Sequence, residues 1–309
     1  MTIAGVTREL LVRYLDVWTP AALHAAKRVA FAYAWSDEIG TAEPDTSDAH
    51  ADTTEAALRG FAEFDDLLRR RRLTYVIVGP DAGASERLES VQADLGTSAN
   101  LAVHAVSGDP AEMLSAALHA AGAAGAPLFV SAQLAQPPAR IHSAGRPTEM
   151  MCVLPPGDWR SHREALRADG FRLITAVEFV DTAADGSRLV CFATDRATSL
   201  DAFKNALWAV DEYAGVRYRD PSNPDRHLQD ISLTPHPGPL RRALLDRLAA
   251  VGPQTVTELR HYALTDTIYR SSDATRVISS LRHSGAVESD SAHGRLSGDT
   301  VVAAAGAAR

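Results

Sequence analysis

Four groups of residues in this 309-residue chain have types and spacing that could do chemistry. Gly79-Pro80-Asp81-Ala82-Gly83 stands between an apolar run and a helical pattern, where a glycine-bearing turn can aim backbone amides at an anion. It lacks the Gly-Lys-Ser/Thr of a P-loop and the spacing of a dinucleotide fingerprint, so an ordinary strand-to-helix turn fits it as well. Gly108-Asp109-Pro110 offers a second carboxylate at the same kind of junction. Its plain reading is a helix N-cap with proline in the first turn. Arg276, Ser279, Ser280 and His283 share one face of a helical pattern, with His293 and Arg295 on a loop beyond it. Such a face can read a groove while the loop reaches the backbone. A solvated polar face is the alternative. Arg69 to Arg72 close another helical stretch, where cations complement the helix dipole.

Other chemistries find little purchase. Two cysteines, Cys152 and Cys191, cannot make a disulfide framework or a cysteine-rich metal site, and both lie in apolar strand patterns as small buried hydrophobes. No Gly-x-Ser-x-Gly elbow is present. His104, His119 and His142 are far apart, and no histidine pair has helical metal-ligand spacing with a carboxylate, so no metal is expected. The formal net charge is −8. From His236 to Arg309 nine arginines face seven carboxylates, giving +2 and leaving −10 for the rest. A body of that charge repels polyanions, so any nucleic-acid contact belongs to the C-terminal segment. Only Lys27 and Lys204 are lysines. No window is apolar enough to span a bilayer, and Arg8, Glu9, Arg13 and Asp16 interrupt any signal-peptide core. The composition, 46% hydrophobic and 23% charged, fits a globular chain, and the expectation is a cytoplasmic protein without a membrane partner.

The elements that must position these residues follow from periodicity. Thr7 to Trp18 is an amphipathic helix, with Leu10, Leu11, Tyr14, Leu15 and Trp18 on one face. Val29 to Ala34 is a buried strand. Ser36 to Glu55, with seven acids and no Lys or Arg, reads as a long solvated loop, and Ala56 to Arg72 as a helix. Strands at 73–78, 101–106, 127–131 and 149–154 then alternate with helices at 85–95, 110–121 and 158–168. A hairpin pairs 171–181 with 188–194 around Asp185-Gly186, and a helix covers 200–210. Alternation of this kind implies right-handed crossovers and a mostly parallel sheet with an antiparallel hairpin at its end. That is the order of class I methyltransferases, a Rossmann-type fold. The proline-rich stretch 221–238 reads as a linker between an α/β domain, 1–220, and a second domain, 239–309. The second domain shows three helices followed by two short strands around His293-Gly294, a winged helix-turn-helix outline. In its third helix Ala274, Val277, Ile278 and Leu281 form the apolar stripe, and Gly285 supplies the left-handed residue that ends it.

Several segments resemble the three-Cys-motif partner family of methyltransferase-like proteins. They are Glu9-Leu-Leu-Val-Arg-Tyr-Leu-Asp-Val-Trp18, then Leu189-Val-Cys-Phe-Ala-Thr-Asp195 with Leu200, Phe203, Lys204, Ala206 and Trp208-Ala-Val-Asp211, and Thr257-Glu-Leu, Thr267-Ile-Tyr269 and Ser280-Leu-Arg-His-Ser-Gly285. The resemblance implies a donor site for S-adenosylmethionine at the carboxyl ends of the strands, and there this chain departs from the family. Where the family carries an acid and a Phe-Ala-Gly-Pro-Gly turn, this chain has Phe31-Ala-Tyr-Ala-Trp35-Ser36. Gly79-Pro80-Asp81 replaces Glu-Lys-Asp, and Ser131-Ala-Gln133-Leu-Ala replaces Asp-Pro-Phe-Gly. Gly108-Asp109 survives. The resemblance therefore implies a methyltransferase-like protein without catalytic residues or cofactor, acting through its winged helix on nucleic acid or a protein partner. Arg276, Ser280, His283 and Arg295 are the nucleic-acid candidates. The competing expectation is an active S-adenosylmethionine-dependent methyltransferase that uses Asp81 and Asp109 on the cofactor.

Overall fold

The alternation Val29-Ala-Phe-Ala-Tyr-Ala34 sorts the α/β body into two layers. The computed structural model describes residues 2–37, 46–143, 145–183, 186–210, 215–222, 227–290 and 296–305. Helix α1 (Ile3–Ala25) leads into β1 (Arg28–Trp35). Phe31, Tyr33 and Trp35 enter one hydrophobic cluster, and Ala30, Ala32 and Ala34 the other, because successive strand side chains point to opposite faces. The aromatic face is covered by α1 and by α2 (Thr46–Ala62), whose Phe61 ring meets Phe31 edge-on at 5.4 Å. One-turn α3 (Asp65–Leu68) precedes β2 (Arg72–Gly79), α4 (Ala84–Leu95), β3 (Leu101–Ser107) and α5 (Pro110–Ala120). Helix α5 covers the alanine face of β1 and the same face of β2. There follow β4 (Leu128–Gln133), β5 (Thr148–Leu154), α6 (Trp159–Asp169), the hairpin β6 (Leu173–Asp181) and β7 (Gly186–Thr194), α7 (Ala197–Trp208), β8 (Val216–Arg219) and β9 (Leu228–Gln229).

The strand order is β3-β2-β1-β4-β5-β7-β6-β8-β9. The first five strands are parallel, and β7 lies antiparallel between β5 and β6. This is the class I methyltransferase-like arrangement, extended at its β6 edge by β8 and β9.

Three expectations change. The loop assigned to 36–55 gives way at Thr46 to α2. Its buried stripe carries His50, Thr53 and Thr54 ahead of Ala57, Leu58 and Phe61, so hydropathy hides the period. The helix expected over 56–72 stops at Ala62, and Arg72 already begins β2, donating its amide to Lys27 O at 2.8 Å. The stretch read as a linker contributes β9 to the sheet. Among the described residues no helix is long and apolar enough to cross a membrane.

The C-terminal elements are α8 (Gly238–Val251), β10 (Gln254–Thr255), α9 (Val256–Asp266), α10 (Ser271–His283), β11 (Val287–Ser289) and β12 (Val301–Ala304). An antiparallel sheet of order β10-β12-β11 accompanies the helices, with β10 between α8 and α9 and with β11 and β12 after α10. A reciprocal capping box of Thr255 and Glu258 starts α9. Ala274, Val277, Ile278 and Leu281 are buried in α10, and Gly285 takes φ +70° just after it.

Lys204 joins this module to the body. It sits in the buried stripe of α7 with Leu200, Phe203, Leu207 and Trp208. Its Nζ reaches Ala263 O at 3.2 Å, Leu264 O at 2.6 Å, Thr267 O at 2.5 Å and Tyr269 O at 3.0 Å. These are the last carbonyls of α9 and those of the turn into α10, which no helical amide can satisfy. Trp208 Nε1 donates to Ile268 O at 3.0 Å in the same turn. Burial pushes the Lys204 ammonium down to about 7, against the pull of Asp220, Asp201, Asp266 and Asp273. Lys204→Met keeps the packed stem but leaves buried carbonyls without a donor. We expect it to lower the unfolding free energy by roughly 3 kcal/mol, read as a fall in the urea midpoint. An unchanged midpoint would show that the junction does not depend on this ammonium.

Candidate functional site

In an open α/β sheet, ligands bind beyond the carboxyl ends of the strands where the strand order reverses. Here that point lies between β1 and β4. Tyr33 and Trp35 of β1 register there with Ser131 and Gln133 of β4. Among the described residues, Trp35 and His50 pack there. Trp35 is 3% exposed, and its ring stacks on that of His50 from α2 at 5.1 Å and 21°. On its other side lies the end of β2. A Cβ added to Gly79 would come within 2.5 Å of Trp35 Cε2, far inside van der Waals contact. Gly79 therefore leaves room for an indole, where the resemblance places an acid.

A polar chain runs beneath the indole. Gln133 Nε2 donates to the Tyr33 hydroxyl at 2.9 Å, and that hydroxyl meets His50 Nδ1 at 2.8 Å. All three groups thus find partners inside the layer, as buried polar groups must. Burial pushes the His50 imidazole down to about 4 and the Tyr33 hydroxyl up. Ser131 Oγ, on the residue that pairs with Tyr33 across β1 and β4, is buried and has no hydrogen-bond partner among the described residues.

The two carboxylates considered for a cofactor lie at the next strand ends and serve local structure. Asp81 Oδ1 accepts the Gly83 amide at 2.8 Å, and Arg87 of α4 pairs with the same carboxylate. That bond to Arg87 holds the carboxyl below its usual range. Asp109 Oδ1 accepts the Ala111 amide at 2.9 Å and caps α5. The turns that carry them touch, since the Gly108 amide donates to Gly79 O at 2.9 Å. Gly108 itself has φ +153°, with Met113 Sδ 2.1 Å from where a Cβ would be.

On the C-terminal module, α10 presents Arg276, Ser279, Ser280 and His283 at the surface. Arg276 is not a free cation. It bonds Asp273 Oδ1 at 2.5 Å, and that buried carboxylate also takes Arg270 Nε and Nη2 at 2.8 and 2.9 Å. Arg276 and Ser280 border a cleft of about 270 Å³ whose other walls include Pro235, Pro237, Leu240 and Val277. Leu233, just before it in the chain, is 70% exposed. Arg295 and His293 lie outside the described residues, as does Asp185 of the hairpin signal. Among the described residues no group of His, Cys, Asp and Glu has metal-binding geometry. Cys152 and Cys191 are buried partners across β5 and β7, and burial pushes both thiols up.

Sequence reasoning passed over Tyr33, His50 and Gln133. The signal for His50 was the stripe 50, 54, 57/58, 61, legible once histidine and threonine are admitted as buried residues.

No protein-family model matches this chain, and no curated protein does. Eight chains among the solved structures match it. Two are structures of the METTL16 methyltransferase domain, one of them lacking N-terminal residues. They are 14% and 13% identical, cover 59% and 60% of this chain and 66% and 83% of their own, and have a TM-score of 0.32 each. A Listeria monocytogenes chain assigned as a class I S-adenosylmethionine-dependent methyltransferase is 9% identical over 63% of both chains, at TM-score 0.33. At such scores the fold assignment rests on the strand order given above.

Neutral His50 sets a pH dependence. Its folded pKa of about 4 lies below the ordinary 6.5, so between these values the unfolded chain holds more protons. Stability is then full above pH 6.5 and falls as the pH drops through 4, by up to about 3 kcal/mol from this group. His50→Phe keeps an aromatic surface and cannot titrate. Its urea midpoint should fall less than that of the wild type between pH 6.5 and 4, and equal falls would count against the assignment.

Proposed function

We propose that this chain is a methyltransferase-like binding or regulatory component, not a methyl-transferring enzyme, and that it acts through its C-terminal winged helix. The observation that carries this reading is the Trp35 indole packed on Gly79, in the place where a donor would lie. Asp81, paired with Arg87 and the Gly83 amide, and Asp109, the cap of α5, are the acids an atypical donor site would use, and their local engagement supports the same reading. A relationship to the three-Cys-motif partner family fits a chain that pairs this sheet with such a module. It is carried by the residue resemblance alone.

For the partner, the α10 face favours protein over duplex DNA. Arg270 and Arg276 share one buried carboxylate, so the cluster offers a net +1 beside an apolar cleft. Phosphate backbones are held by unneutralised cations, whereas an apolar cleft with a polar rim suits a protein side chain. The rest of the chain, at −10 by formal charge, opposes a polyanion further. Arg276, Ser280, His283 and Arg295 remain the residues through which nucleic acid would be met if it is the partner.

Two titrations test the reading on the full chain. A ligand at a hundredfold excess over Kd adds about 2.7 kcal/mol of stability. Millimolar S-adenosylmethionine should leave the melting temperature unchanged, and a saturable rise would restore the enzyme reading with Asp81 and Asp109 as ligands. Random-sequence duplex DNA at low salt should not bind. Binding that weakens in Arg276→Ala with Arg295→Ala, with a salt slope flatter by about one unit for each phosphate no longer neutralised, would make nucleic acid the partner.

A further inference from the structure

At the end of the sheet opposite the switch point, a buried carboxylate has no counter-cation among the described residues. Glu149 is the second residue of β5 and is 3% exposed. Its Oε2 accepts the Tyr14 hydroxyl at 2.5 Å and its Oε1 accepts Ser199 Oγ at 2.5 Å. Two hydroxyls use two of a carboxylate's roughly four lone-pair sites. Among the described residues no cation stands within ion-pair distance, although burying an ionised carboxylate is costly unless it is paired. Burial accordingly pushes its pKa up, while Ser199, Tyr14 and Arg196 act against that rise.

Glu149 opens onto a cleft of about 180 Å³. The walls are Trp18, Ala21 and Ala25 of α1 with Pro127 and Pro147, and the rim carries Arg196 and Thr198. Arg196 is exposed, and it has no ion-pair partner among the described residues. It is also the N-cap residue of α7, a helix start that no side chain caps. A negative group at the base and a positive rim thus face one small cleft between apolar walls. The volume is below that of a site for a drug-sized ligand.

We propose that this cleft binds a small zwitterion of the aliphatic α-amino acid class, with its ammonium on Glu149, its carboxylate on Arg196 and the first amides of α7, and its side chain against Trp18 and the α1 alanines. The ammonium supplies the missing counter-cation, and Trp18 adds an aromatic wall to it. The carboxylate meets a guanidinium and a helix N-terminus, both of which favour anions. The site is independent of the donor place, which lies at the other ends of the strands.

The test is calorimetric titration of the full chain with aliphatic L-amino acids, and with isobutylamine and isovalerate as the two halves of valine. At least one amino acid should bind saturably below about 10 mM, and each half should bind at least about tenfold more weakly. Arg196→Ala, at an exposed position, should keep the fold and weaken the amino acid by about tenfold or more. Glu149→Gln should abolish its binding, with circular dichroism confirming a folded chain. Arg196→Ala carries the test if the Glu149 variant does not fold. Absence of binding across the amino acids, binding unaffected by Arg196→Ala, or isobutylamine as tight as valine would each overturn the proposal.

Discussion

An indole can lie at the switch point of this sheet because Gly79 has no side chain. Class I methyltransferase-like sheets reverse their strand order beside β1, and the crevice so formed is the natural ligand place of the fold. In this chain β1 ends in Trp35, the end of β2 recedes to glycine, and α2 brings His50 up to stack on the ring. The Tyr33 hydroxyl then meets the polar atom that His50 turns inward, and Gln133 donates to that hydroxyl. These four side chains come from three elements and depend on one another. Removing any one would leave either a void or an unpaired polar group in a layer otherwise packed with Phe31, Phe61 and Tyr75.

The second constraint is the ammonium of Lys204. Helix α9 ends in a tight turn into α10, and its last carbonyls point into the body instead of into water. The ammonium of a lysine from α7 lies within 3.2 Å of two of them and of two carbonyls in the turn, and the Trp208 indole donates to a third carbonyl of the turn. The stretch before α8 is tied to the same turn. The Tyr269 hydroxyl lies 2.8 Å from Gln229 Oε1 and 2.9 Å from His236 O, and Arg270 donates to Leu233 O at 2.9 Å. The C-terminal elements are thereby tied to the body, with the exposed face of α10 left outward.

Much of this was legible in the residues. Alternating strands and helices gave the parallel sheet, Asp185-Gly186 marked the hairpin, and the α10 stripe with Gly285 was readable from spacing. The replacements at Trp35 and Gly79 were visible as departures from a family pattern. Their packing against each other was not, because it joins residues 44 positions apart across two strands. Helix α2 escaped because acids crowd its exposed side and histidine and threonine fill its buried one. Lys204 stood out as one of two lysines, yet a cation in an apolar stripe has no sequence signature that names carbonyls 59 to 65 positions away as its acceptors. Glu149 read as the start of a strand for the same reason: its hydroxyl partners, Tyr14 and Ser199, lie 135 and 50 positions away in the chain, on helices that fold together only in the body.

The central claim, that the protein's own indole occupies the donor place, is open to direct observation. The chain has four tryptophans. Labelled with 5-fluorotryptophan, it should give a fluorine resonance for Trp35 that Trp35→Phe identifies by its loss. Titration with S-adenosylmethionine to millimolar concentration should leave that resonance in place, at one shift and one width. A saturable movement or splitting of the Trp35 signal would mean that the indole yields to the donor, and the account of a closed site would be wrong.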